Sequence, residues 1–138
     1  MRDDCFVVET LTEVQINQLL VMYQNELWSK ERRIEDVKAM LQNSNIVALI
    51  HKHNNEDIGF ARFLTDGIYR AFIYDVIISK KYRGSGYGRI FLETLVKHKH
   101  LKNVERVELY CQNQNVSFYE KFDFKEVPVG THLMRRIP

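Results

Sequence analysis

Apolar residues recur at helical spacing twice in the first third of the chain. Ile16, Leu19, Leu20, Tyr23 and Leu27 form one stripe. Ahead of it, Thr12-Glu13-Val14-Gln15 reads as a capping box, with Thr12 capping the helix start and Gln15 reaching back to it. Ser29 offers a cap for a second helix that turns Ile34, Val37, Met40 and Leu41 inward. A short β-prone run from Cys5 to Glu9 precedes both. The period then changes. Ile46 to Ile50 and Ile58 to Leu64 read as strands on either side of a polar turn, His53-Asn54-Asn55-Glu56-Asp57, which predicts a hairpin. A turn at Asp66-Gly67 leads into a longer strand, Tyr69 to Ser79. After a glycine-rich stretch comes a helix with Ile90, Phe91, Leu92, Leu95 and Val96. A strand from Val104 to Cys111, a short helix from Val116 to Phe122 and one or two last strands within 127–136 complete the chain. The predicted order β-α-α-β-β-β-α-β-α-β belongs to the α/β class, as a mixed layered domain.

Composition narrows the class. With 138 residues and prolines only at Pro128 and Pro138, the chain reads as one continuous domain over 1–138. Hydrophobic residues at 45% and charged residues at 28% fit an ordinary globular protein and exclude disorder. No apolar run approaches the roughly 20 residues of a membrane span. The net charge of +2 is too even for a protein that coats nucleic acid. Between residues 80 and 102, however, Lys80, Lys81, Arg83, Arg89, Lys97, Lys99 and Lys102 face only Glu93. A local cationic patch on a near-neutral chain suggests a small anionic ligand. Cys5 and Cys111 make no disulfide framework, and the start does not read as a secretion signal, so a cytoplasmic location is expected. His51 with His53, and His98 with His100, lack the partners of a metal site and read as surface histidines.

Gly84-Ser85-Gly86-Tyr87-Gly88 sits between a strand and a helix. The first N–H groups of a helix have no internal partner and, with the positive end of the dipole, suit a phosphate. Arg83 and Arg89 add charge at the rim. A Walker loop and a dinucleotide-binding fingerprint both fail at Arg89. A tight turn without a ligand is the other reading of the glycines.

Arg83-Gly84-Ser85-Gly86-Tyr87-Gly88 fits the pattern Arg/Gln-x-x-Gly-x-Gly/Ala. With Tyr82 before it, Ser117-Phe118-Tyr119-Glu120-Lys121-Phe122 after it and Gly59-Phe60-Ala61-Arg62 upstream, the chain resembles the GCN5-related N-acetyltransferases (GNAT), in particular small single-domain bacterial members. The resemblance implies a mixed, mostly antiparallel central sheet flanked by helices. It implies acetyl-CoA as cosubstrate and a primary-amine acceptor on a small molecule or peptide; with the charge balance, apolar runs and histidine spacing above, no metal and no nucleic-acid or membrane partner is expected. Related small enzymes are often homodimers. By the same resemblance, Arg83, Gly84, Ser85, Gly86, Tyr87, Gly88 and Arg89 take the pyrophosphate. The backbones of Val76, Ile77 and Ile78 take the pantetheine arm, where the family's strand bulges. Asn113, or Gln112, contacts the pantetheine amides. Trp28, between the first two helices, forms a wall of the acceptor pocket or, equally, packs the helix joint; Tyr74, Tyr69 and Arg70 are acceptor-side candidates on weaker grounds. The family's glycine after the short helix is replaced by Asp123.

Acetyl transfer to an amine needs a held thioester, a deprotonated amine and a protonated leaving thiolate. Tyr119 matches the family's acid; its other reading is a buried aromatic whose hydroxyl finds a partner. By the period of two, Ala71, Ile73, Asp75 and Ile77 share one face. An acid among apolar neighbours gains a raised pKa that would suit a base, acting directly or through water. Alternatively Asp75 is satisfied by backbone N–H groups or by an arginine such as Arg62. Cys111 reads as a buried structural thiol, since no histidine lies nearby in sequence to activate it. The chemistry expected is direct attack in a ternary complex. Two other readings stay open: a CoA-binding sensor or scaffold without catalysis, and a nucleic-acid binder using the patch at 80–102.

Overall fold

The computed structural model describes residues 1–138. Strand β1 (Cys5–Val8) leads into helices α1 (Glu13–Gln24) and α2 (Ile34–Gln42). Strands β2 (Asn45–His51), β3 (Asp57–Thr65) and β4 (Arg70–Ile78) follow. Then come α3 (Tyr87–Val96), β5 (Arg106–Glu108) and α4 (Val116–Glu120). The strands form one sheet in sequence order, antiparallel except for the parallel pair β4–β5. This is the mixed, mostly antiparallel α/β sheet expected.

Each face of the sheet carries a core. Val47, Leu49 and Phe63 pack with Phe91, Leu92 and Leu95 of α3. Ala48, Ile50 and Phe60 pack on the other face with Leu19 and Tyr23 of α1 and Val37 of α2. Each of these fully buried large apolar side chains contributes roughly 1.5–3 kcal/mol. The capping box forms as the sequence predicts: Thr12 Oγ1 accepts from the Gln15 N–H and Gln15 Oε1 accepts from the Thr12 N–H.

A bulge in β4 changes its faces. Phe60 opposes Ile77 and Arg62 opposes Tyr74, so Ala61 faces both Asp75 and Val76. Asp75 has φ +58°, the left-handed value that such an extra residue adopts. One inserted residue shifts a period of two onto the opposite face. Ala71 and Ile73 therefore belong to the α3-side core and Ile77 to the α1-side core. Asp75 does not share a face with Ala71 and Ile73, as simple alternation predicts; it turns towards α1.

The β4–β5 pair runs only from Arg70↔Arg106 to Phe72↔Glu108. Beyond Phe72 the strands part, and no strand covers that edge of β4 up to Ile78.

Other expectations change. Helix α1 stops at Gln24, leaving Leu27 exposed. Arg33, not Ser29, precedes α2. Ser29 is buried and its hydroxyl donates instead to the Tyr23 carbonyl at 2.7 Å. Strand β5 is three residues long rather than spanning 104–111. Residues 127–136 form no strand. Pro128 lacks an N–H, Gly130 turns with φ +101°, and Val129, Leu133 and Met134 are exposed.

Candidate active site

The glycine stretch makes the turn into α3. Gly84 (φ +79°) and Gly86 (φ +84°) are both left-handed, and Gly86 is the residue before the helix. No protein acceptor meets the N–H groups of Gly84 through Arg89. Gly88 serves a different purpose: a Cβ there would lie 3.6 Å from the Phe118 ring, so its bareness lets α4 approach α3. The two rim arginines have partners of their own. Arg83 donates to the Ile78 carbonyl at 2.9 Å and to Glu26 at 2.5 Å, while Arg89 pairs with Glu93 at 3.2 Å.

The turn opens on a cavity of about 480 Å³ between β4 and α4. Val76, Ile78, Tyr87 and Tyr119 line it beside the glycines. Tyr119 is half-buried, its ring edge-on to Phe118 and Phe124. No protein group bonds its hydroxyl. Burial, with Cys111 adding to it, pushes its pKa up to about 12. It therefore keeps its proton through the physiological range and can donate it. Asn115 lines the cavity, whereas Asn113 and Gln112 are exposed on the turn before it. Cys111 is exposed rather than buried as expected; partial desolvation of its thiol raises the pKa, with Glu126 adding to it, which disfavours the nucleophilic thiolate.

On the opposite face Asp75 is held by three side chains. Tyr23 Oη donates to its Oδ2 at 2.9 Å, Arg32 Nη1 at 2.7 Å and Arg62 Nε at 2.8 Å. Its side chain is 8% exposed. Burial raises its pKa, but the hydrogen bonds and charges of Arg32 and Arg62 outweigh that, and the net shift is downwards. A carboxylate below its ordinary range with its lone pairs engaged is a poor proton acceptor. The two residues expected at the acceptor pocket sit on these arginines. Arg32 lies 5.4 Å over the Trp28 ring and 4.3 Å over Tyr23, and Arg62 lies 4.8 Å over Tyr74. Trp28 is half-exposed and lines a separate cleft with Arg32 and Arg62.

A glycine turn with unbonded amides, a free edge of β4 and the Tyr119 side chain share one cavity. The family model of the acetyltransferase (GNAT) family matches residues 14–124. The chain belongs to the GNAT family. It is 34% identical over 106 residues to the uncharacterized N-acetyltransferase ycf52 of Pyropia yezoensis, covering 75% of this chain and 60% of that one. It is 29% identical over 128 residues to the histone acetyltransferase TAP1 of Glycine max, covering 86% of this chain and 55% of that one. The chain thus spans little more than half the length of these relatives. A solved GNAT-family structure from Xanthomonas campestris pv. campestris superposes with a TM-score of 0.81 over 97% of this chain and 93% of that one, at 20% identity, which supports the fold.

Of the residues named from the sequence, the structure brings Val76, Ile78, the glycines of the turn and Tyr119 to one cavity. Sequence reasoning missed Arg32 and Tyr23 as partners of Asp75, Asn115 on the cavity wall and Arg2 beside the turn. Arg62 was named only as a candidate partner for Asp75. The histidines are less bland than expected. His98 is largely buried against Phe63 and pairs with Glu9, and His51 stacks on Tyr82. No group of histidine, cysteine and carboxylate side chains is arranged to hold a metal ion. No helix is long and apolar enough to cross a membrane.

Proposed function

We propose that the chain transfers an acetyl group from acetyl-CoA to a primary amine on a small molecule or peptide, by direct attack in a ternary complex. The row of unbonded amides from Gly84 to Arg89, at the mouth of the cavity that Tyr119 lines, carries this reading. Backbone N–H groups at a helix start, reinforced by its dipole, suit a diphosphate. The uncovered edge of β4 from Tyr74 to Ile78 offers main-chain groups to an extended amide-bearing arm, as an added strand would use them. The name of the TAP1 relative favours a peptide-borne amine among the acceptor classes.

Bound acetyl-CoA supplies an electrophilic acyl carbon and a thiolate leaving group. The protein's own residues do the rest. The Gly84–Arg89 amides anchor the diphosphate end. Tyr119 Oη gives its proton to the departing sulfur, which stabilises the charge that develops there. The proton lost by the amine passes to water. Asp75 holds Arg32 and Arg62, and through them the aromatic rings of Tyr23, Trp28 and Tyr74, in place rather than acting as the base.

Calorimetry with acetyl-CoA, followed by an amine panel read by free-thiol release, tests the reading. Heat without thiol release across the panel would leave a cofactor-binding module and remove the enzyme. Tyr119→Phe is expected to lower kcat by about 100-fold, a typical loss for one acid, with CoA affinity unchanged. Wild-type turnover in that variant would exclude Tyr119 as the acid.

A further inference from the structure

The segment ahead of β1 is not a loose end. Arg2 Nη1 donates to the Ser85 carbonyl at 2.6 Å, in the middle of the glycine turn. Its guanidinium lies 4.1 Å over the Tyr87 ring. Its Nη2 reaches Asp4 at 3.0 Å and the Tyr87 hydroxyl at 3.3 Å. Tyr87 Oη in turn donates to Asp4 Oδ2 at 2.5 Å. Arg2, Asp4 and Tyr87 thus close a ring of contacts, and one member grips the turn from outside.

That grip has a stereochemical consequence. The carbonyl of Ser85 and the N–H of Gly86 belong to one trans peptide plane, in which they point in opposite directions. Pulling the Ser85 oxygen towards Arg2 aims the Gly86 N–H away from it. Gly84 and Gly86 can rotate through more of backbone space than any other residue, so this plane is the one most in need of an external hold. Asp4 restrains the guanidinium, and the Tyr87 ring backs it. A fixed plane spares the ordering cost that a loose turn meets when it closes on an anion.

We propose that Arg2, restrained by Asp4 and Tyr87, is a positioning residue that presets the Gly86 peptide plane of the turn for cofactor binding. The inference rests on the proposed role of that turn as the diphosphate site. It differs from a direct role, in which Arg2 would itself touch phosphate. The two roles diverge at Asp4. Asp4→Asn loosens Arg2, so a positioning role predicts weaker binding. Removing a negative charge and freeing a cation would strengthen binding if Arg2 met the phosphate itself.

The test uses Arg2→Ala, Arg2→Lys and Asp4→Asn in the full chain. In ligand-free protein, ¹⁵N order parameters at Ser85 and Gly86 are expected to fall in Arg2→Ala from rigid values of about 0.85 towards about 0.6. The dissociation constant for coenzyme A should rise about tenfold in Arg2→Ala, the loss of one charge-assisted hydrogen bond at its lower end. It should rise about threefold in Asp4→Asn, with partial rescue in Arg2→Lys. KM for acetyl-CoA should rise with it while kcat holds. Unchanged order parameters, a Kd for Arg2→Ala within twofold of wild type, or tighter binding in Asp4→Asn would each overturn the proposal. If wild type binds no coenzyme A, the cofactor reading falls and the positioning role for binding falls with it. The order parameters separate that failure from an error about Arg2, because they report on the turn without ligand.

Discussion

Two aspartates on neighbouring strands meet burial in opposite ways. Asp57 opens β3 and is 4% exposed; Asp75 sits at the bulge of β4 with its side chain 8% exposed. Asp75 receives three donors from Tyr23, Arg32 and Arg62. Asp57 has a buried Oδ1 with no partner, and no cation is paired with its carboxyl. Burial alone pushes the Asp57 pKa up to about 7, whereas the Asp75 pKa falls below its ordinary value despite burial. Near-equal desolvation gives opposite outcomes because the number of donors decides which protonation state the fold prefers. Asp75 behaves as a tie: it joins α1, the α1–α2 connection and β3 at the point where β4 leaves its regular path. Asp57, with no such partners, is buried at the start of β3 and lines a cleft beside α1.

The largest effect expected from this contrast is at the tie. Asp75→Ala leaves Arg62 and Arg32 without their counter-charge, the former 17% and the latter 30% exposed. Breaking a buried pair from one side typically costs about 3–5 kcal/mol. Chemical denaturation should show a loss in that range. A loss below about 1 kcal/mol, the value of a surface pair, would remove Asp75 as a structural tie.

The pH dependence of stability separates the two carboxyls further. For Asp57 the folded pKa of about 7 lies above the ordinary 3.8, so folding favours its protonated form. Its contribution is fully present below pH 3.8 and disappears as pH rises through about 7. For Asp75 the folded pKa is lowered, so its contribution is present above the ordinary value and disappears as pH falls through the lower one. Asp57→Asn should therefore flatten the decline in stability between about pH 4 and pH 7, by on the order of 2 kcal/mol after solvent screening. Asp75→Asn should lower stability throughout the neutral range and change its slope with pH only on the acid limb. An unchanged neutral limb in Asp57→Asn would mean that the Asp57 carboxyl is solvated.

This contrast also marks how far the sequence could be read. The glycine turn, the helix it opens and the tyrosine of α4 are local patterns, each set by a few adjacent residues, and the structure places all three at one cavity. The capping box at Thr12 is equally local. Asp75 lies beyond such a reading for two reasons. Alternation put it with Ala71 and Ile73, and a single bulged residue, which no spacing announces, turned it to the other face. Its partners Tyr23 and Arg32 come from elements far away in sequence, so only the packed layers bring them together. Arg2 is hidden in the same way, joined to Ser85 across 83 positions of chain. The strands expected at 127–136 failed for the reverse reason: apolar residues were present, but Pro128 and Gly130 interrupt any ladder and no neighbour pairs with them.

The smallest effect concerns a third aspartate, which isolates backbone strain from charge pairing. Asp123 and Asp75 share a left-handed backbone, at φ +68° and +58°. Asp123 lies after α4, where its family usually has glycine; it is exposed and its carboxylate bonds nothing. For an L-residue that conformation costs roughly 1 kcal/mol, which glycine avoids. Asp123→Gly should therefore stabilise the protein by about 0.5–1 kcal/mol and raise Tm by about 2–4 °C. Asp75→Gly relieves the same strain but removes the tie, so it should destabilise. If both glycine variants shift Tm in the same direction, backbone strain and side-chain pairing are not the separate quantities that distinguish these positions.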